Sequence, residues 1–222
     1  MEQDTSRIEN EVKAAVDSDP GEIADKVRSV TLHALSGGAL DTASLRAVIT
    51  AVLKGAQEGV ERPGEQRAAA LREAVRGLDE ALAAAAQATQ LAIQEAAGRT
   101  GEFSRQGLKT RLDELGSVES LFVDTLAEAA RSATGHARET LRALAEHSRA
   151  SGTAVGGRVQ AAVGQLAGAL AGAAQEGLEA GARTLRNEAE LFAGLAAGVL
   201  RGIADRLHSP GDKTGGSSED CA

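Results

Sequence analysis

The strongest constraint on the fold of this chain is an apolar repeat of eleven residues within the proline-free stretch between Pro63 and Pro210. Eleven residues make three helical turns at about 3.67 residues per turn, so side chains at this spacing remain on one face of a nearly straight α-helix. We define the apolar stripe as three rows of positions with this spacing, beginning at Leu71, Val75 and Leu78. Its large apolar members further along the chain include Leu82, Ile93, Leu108, Leu115, Phe122, Leu126, Leu141, Leu144, Val155, Val159, Val163, Leu166, Leu170, Leu185, Phe192, Val199 and Ile203.

Charge is nearly absent from the apolar stripe, where only Arg111, Glu119 and Glu188 carry it. The chain has three phenylalanines, no tryptophan, no tyrosine and one methionine, so its core must be built from leucine, valine and alanine. Burying a leucine contributes about 1.5–3 kcal/mol and burying an alanine much less, which favours long, shallow contacts between helices. The pattern predicts an all-α fold without β-sheet, with elongated amphipathic helices in an open antiparallel bundle or a long helical hairpin.

The prolines and the polar carboxyl-terminal sequence divide the chain into regions. We expect short helices in residues 1–62, the long amphipathic helical region in 63–208 and a disordered tail in 209–222. The short helices are predicted near residues 6–17, 20–36 and 42–60. Asp19 is expected to cap the second of them with Pro20 in its first turn, and Asp41 or Thr42 to cap the third.

An unbroken helix through residues 63–208 would be about 220 Å long at 1.5 Å per residue. We therefore expect the chain to fold back at residues 98–102, 116–120 and 151–157, where glycine and serine are concentrated. The remaining alternative is one long helix that pairs with a second copy of itself.

Glycines recur at intervals of four residues in the last third of the chain. On a helix they lie away from the apolar stripe and give the opposite face few side chains. Small residues at this spacing allow another helix backbone to approach closely. We therefore predict close helix packing at Gly164, Gly168, Gly172, Gly194, Gly198 and Gly202.

Charge and hydropathy exclude several classes of partner. The formal net charge is -8, and no basic stripe or group of aromatic residues is present, so we expect no nucleic-acid partner. The amino terminus lacks the basic start and apolar run of a signal peptide, which makes a cytoplasmic location the default expectation. The uncharged run at 159–175 is shorter than a spanning helix requires and contains three glutamines.

Residues that carry chemistry are scattered. His136 and Glu139 are three positions apart on one helical face, but a metal site in a bundle needs a second such pair. No phosphate-binding loop is present, and Cys221 has no second cysteine with which to form an internal disulfide. We therefore predict no catalytic residue, no metal and no cofactor.

The alanine-rich, proline-poor and nearly aromatic-free composition resembles that of phasins, which coat bacterial polyhydroxyalkanoate granules. The eleven-residue period is similar to that of lipid-droplet and lipoprotein helices, and the resemblance covers roughly residues 63–208. It implies a non-enzymatic protein that coats an apolar intracellular surface, such as a granule or a membrane surface. The alternative is a self-associating helical scaffold without a lipid or polymer partner, and we expect self-association in either case.

Both interpretations use the same apolar contact residues. These are Leu115, Phe122, Leu126, Leu141, Leu144, Val155, Val159, Val163, Leu166, Leu170, Leu185, Phe192, Val199 and Ile203. The two interpretations differ in what covers these residues, which is an apolar phase in the first case and protein in the second.

Overall fold

A computed structural model of the chain describes residues 2–37, 40–60, 65–99, 103–172 and 182–208. Within these ranges the chain forms nine α-helices and no strand, which confirms the predicted all-α fold. The helices are α1 (Glu2–Val16), α2 (Ile23–Ser36), α3 (Thr42–Gly59), α4 (Glu65–Ala97), α5 (Arg105–Gly116), α6 (Val118–Ser132), α7 (Gly135–Ser151), α8 (Ala154–Gly172) and α9 (Ala182–His208).

The central element of the bundle is α4, which has 33 residues and contacts every other described helix. Around it, α1 packs mainly on α3 and α6 mainly on α7, whereas α2, α8 and α9 lie directly on α4. A single hydrophobic core extends from Ile8 in α1 to Leu200 in α9. The helices before residue 62 therefore share one core with the amphipathic region.

Hydrogen bonds between residues close in sequence determine where the short helices begin. Asp41 caps α3 as predicted, because its Oδ1 accepts the backbone N–H groups of Ala43 and Ser44, each at 2.9 Å. Asp19 acts differently: its Oδ1 accepts the N–H of Gly21 at 2.9 Å in a turn, and α2 begins only at Ile23.

Several breaks divide the region 63–208, for which one long helix was the alternative interpretation. The predicted interruptions are present between Ala97 and Arg105, at Ser117 and at Gly152, whose φ of 78° lies in the left-handed region. A further break at residues 133–134 was not predicted. There Ala133 is extended, with φ -69° and ψ 163°, and the Arg138 guanidinium donates to its carbonyl oxygen at 2.7 Å. The predicted tail at 209–222 lies outside the described residues.

Candidate functional site

The apolar stripe forms the interior of the bundle. Among the predicted contact residues, the buried ones are Leu115, Phe122, Leu126, Leu141, Val155, Val159, Leu166 and Phe192. Half-buried residues packed against the core are Leu144, Val163, Val199 and Ile203. The side chains of Leu170 and Leu185 lie outside the described residues. In this arrangement, which we call the closed bundle, other helices of the same chain cover the stripe.

Few large apolar side chains are exposed on the outer surface of the described helices. Leu91 and Leu191 are the large hydrophobic residues exposed there, at 40% and 50%. They lie on different helices, α4 and α9. Isolated exposed leucines are ordinary on protein surfaces, so the described side chains form no large apolar patch of the kind that marks a docking site.

Within the described part of the chain, no close packing is present at four of the predicted glycines. A Cβ atom added at Gly164, Gly194, Gly198 or Gly202 would meet no neighbouring atom within 4 Å, and all four residues are exposed. The surroundings of Gly168 and Gly172 lie outside the described side chains. Gly164, Gly194, Gly198 and Gly202 lie on the outer face of α8 and α9, opposite the buried stripe, and no described residue covers them.

Within the described residues, close helix approach occurs at glycines that were not predicted. An added Cβ at Gly55 would overlap the backbone of Glu9, and one at Gly77 would overlap the backbone of Ala24. At Gly59 it would lie 2.9 Å from the Cβ of Val16. These glycines allow α3 to approach α1 and α4 to approach α2, and Gly55 and Gly59 are themselves four residues apart.

A buried carboxylate from α9 caps the start of α5. Glu188 is 4% exposed, and its Oε1 accepts the backbone N–H of Ser104 at 2.9 Å. The Ser104 hydroxyl donates to Glu188 Oε2 at 2.8 Å and accepts the N–H of Gly107 at 3.0 Å. An added Cβ at Gly107 would overlap the carboxylate. We call Ser104, Gly107 and Glu188 the α5 cap.

The same arrangement recurs at the start of α8. The Thr153 hydroxyl donates to Glu119 Oε1 in α6 at 3.1 Å and accepts the N–H of Gly156 at 2.9 Å. An added Cβ at Gly156 would overlap the Glu119 carboxylate. We call Thr153, Gly156 and Glu119 the α8 cap.

Asp79 of α4 adds a second carboxylate at the same helix start. Its two oxygens accept the N–H groups of Ala154 at 2.8 Å and Val155 at 2.9 Å. Burial raises the pKa of Asp79, although these two hydrogen bonds act in the opposite direction. Carboxylates at a helix N-terminus are favourable because the orphan N–H groups and the helix dipole both attract negative charge.

The caps explain the charged positions of the apolar stripe. Glu119 and Glu188 are the carboxylates of the two caps, and each reaches a serine or threonine followed three residues later by glycine. Arg111, the third charged position, donates to Glu114 at 2.6 Å, and its guanidinium lies 5.5 Å from the ring centroid of Phe192. A charged interruption of the stripe, together with a Ser/Thr-x-x-Gly sequence at a predicted break, is the signal that would have indicated these contacts.

The remaining chemistry of the described residues is sparse. His136 Nδ1 lies 3.5 Å from Glu139 Oε2, and both side chains are exposed. The described residues contain no group of three potential metal ligands. A cleft of about 720 Å³ between α9 and the first three helices is lined by apolar residues and by charged residues of both signs. Among the described helices, none combines the length and apolar character needed to cross a membrane.

Comparison with known proteins gives one match. A protein-family model described as "Family of unknown function (DUF6781)" matches residues 1–209, a range that includes all nine described helices. No curated protein matches the chain. No solved structure matches it either.

Proposed function

We propose that this chain, which belongs to the family of unknown function DUF6781, is a non-enzymatic protein that coats an apolar surface inside the cell. In the closed bundle, helices of the same chain cover the apolar stripe. In the coating state the helices separate and the stripe lies against the apolar phase. Storage granules and lipid droplets have the chemistry that such a helix binds.

The observation that supports the proposal best is the constant phase of the apolar stripe across the helix breaks. The row that begins at Leu71 places Ile93 in α4, Leu126 in α6 and Phe192 in α9, all of which are buried. A bundle needs an apolar face on each helix, but it does not require separate helices to keep one common phase. A long helix lying on a flat surface does require it.

The composition of the core lowers the free energy needed to separate the helices. Eight of the fifteen buried residues of α4 are alanines. An alanine contributes much less to burial than the roughly 1.5–3 kcal/mol of a leucine or phenylalanine. A protein that exchanges its internal contacts for contacts with an apolar surface needs a weakly stabilised core, because binding to the surface must compete with burial in the core.

A test of opening uses a covalent link between α4 and α8. Gln90 Nε2 of α4 donates to Gln165 Oε1 of α8 at 2.6 Å, so cysteines at these positions are within reach of a short bismaleimide. We would prepare the Gln90→Cys, Gln165→Cys variant with Cys221→Ser. The same variant capped with N-ethylmaleimide is the matched control. Charge substitutions on the stripe are less informative, since Leu166 is 1% exposed and its replacement would unfold the closed bundle too.

The assay is flotation with a triolein emulsion and with polyhydroxybutyrate particles. We expect the N-ethylmaleimide control to float with at least one of these phases and the cross-linked protein to remain in the aqueous fraction. Equal flotation of the two forms would refute binding by opening. Failure of the wild-type chain to bind either phase would refute coating altogether. In that case a self-associated species in sedimentation would support the scaffold alternative.

A further inference from the structure

We propose that α9 can leave the closed bundle while the core around α4 stays intact, and that the α5 cap determines how readily it leaves. The use of the released helix on an apolar surface rests on the proposed function, whereas the release itself is a property of the bundle. Three features of the bundle support the release of α9: its burial, the clefts beside it and the α5 cap.

α9 makes a narrow contact with the rest of the chain. Its buried described side chains form one line at intervals of four residues: Glu188, Phe192, Ala196 and Leu200. One of these is a carboxylate and another an alanine, so Phe192 and Leu200 contribute most of the apolar burial. Half-buried residues Leu195, Val199 and Ile203 flank the line. By contrast, α4 buries fifteen residues over its 33 positions.

Open clefts border α9 on two sides. The cleft of about 720 Å³ includes Arg201, Ala204 and Asp205 in its wall, opposite residues of α1, α2 and α3. A second cleft of about 330 Å³ lies between α9 and α5 and is lined by Glu188 and Phe192. Side chains that border a cleft have fewer packed neighbours and gain less dispersion energy. The packing of α9 is therefore looser on both sides of its buried line.

The α5 cap is the polar contact of α9 with the start of another helix. Glu188 satisfies two donors of Ser104, and it occupies the space that a Cβ of residue 107 would need. Hydrogen bonds to a charged acceptor are stronger than those between neutral groups, so this contact adds substantially to the narrow apolar one. Weakening it should release α9 without disturbing the core around α4.

The released helix has the form that surface binding requires. Phe192, Leu195, Val199 and Ile203 lie on one face, while Glu190, Arg201 and Asp205 are exposed on the other. An amphipathic helix with this division lies in an interface with its apolar face inward. The released α9 can therefore bind the apolar phase through this face.

Hydrogen exchange of the full-length chain tests the release without any surface present. In Glu188→Gln and in Gly107→Ala we expect amides of residues 190–204 to exchange about tenfold faster or more. Amides of α4 should exchange at the wild-type rate, because local opening and global unfolding have different free energies. Glu188→Gln keeps the size of the side chain, and Gly107→Ala displaces the carboxylate without changing any charge.

Two controls make the result specific to α9. Gly116→Ala in the same helix as Gly107 adds a methyl group where no atom lies within 4 Å, and it should leave α9 exchange unchanged. Glu119→Gln weakens the α8 cap and should accelerate exchange at the start of α8 instead. Uniform acceleration in all helices, or no acceleration in α9, would overturn the inference. Flotation of the wild-type chain remains a separate readout, so either proposal can fail while the other stands.

Discussion

Two adjacent glycines at the start of α8 provide a test of how the carboxylate caps support the bundle. Gly156 is buried beside the Glu119 carboxylate, which occupies the space that its Cβ would need. Gly157 is exposed, and a Cβ there would meet no atom within 4 Å. Replacing each by alanine adds the same methyl group to the same turn of the same helix. The difference between the two variants therefore isolates the α8 cap.

The expected magnitudes follow from these surroundings. Gly157→Ala should stabilise the protein by about 0.5–1 kcal/mol, the difference in helix propensity between alanine and glycine. Gly156→Ala has the same gain but moves the Glu119 carboxylate away from the Thr153 hydroxyl. A hydrogen bond to a charged group is worth about 1.5–3 kcal/mol, so a net loss of about 0.5–2 kcal/mol is expected. For a chain of this size the two melting temperatures should differ by about 3–12 °C.

The measurement is thermal and urea unfolding of the two variants beside the wild-type chain. A double-mutant cycle with Glu119→Ala shows whether the loss comes from the cap. In the Glu119→Ala background, Gly156→Ala should become stabilising, because the carboxylate no longer occupies the space. Equal stability of the two alanine variants, or a loss at Gly156 that persists without Glu119, would show that the cap does not act as described.

Three further predictions concern other parts of the bundle. The outer glycines are Gly164, Gly194, Gly198 and Gly202. Replacing any of them by alanine should raise the free energy of unfolding by up to about 1 kcal/mol. Destabilisation or dissociation of these variants would instead indicate a packed partner. Gly77→Ala should destabilise the protein in urea unfolding, since its Cβ would overlap the Ala24 backbone. Burial raises the pKa of Asp79 above the ordinary value of 3.8. The contribution of Asp79 to the free energy of unfolding therefore increases as the pH falls from the raised pKa toward 3.8. Asp79→Asn should remove this pH dependence.

Much of the secondary structure could be predicted because helix formation depends on local sequence. The eleven-residue spacing indicated which face of α4, α5, α6, α8 and α9 would be buried, and Leu126 and Phe192 lie inside the core as that spacing implies. Asp41 could be identified as a cap because the side chain and the N–H groups that it accepts are neighbours in sequence. The missed break at Ala133 depends in part on Arg138, five residues further along.

The contacts that organise the bundle depend on residues far apart in the chain. Glu188 reaches Ser104 across 84 positions, and Glu119 reaches Thr153 across 34. The same four-residue spacing occurs at Gly55 and Gly59, where helices approach closely, and at Gly194 and Gly198, where an added Cβ would meet no atom within 4 Å. Spacing along one helix determines which residues share a face. Which neighbour that face meets, and whether any neighbour meets it, is decided only when the nine helices pack.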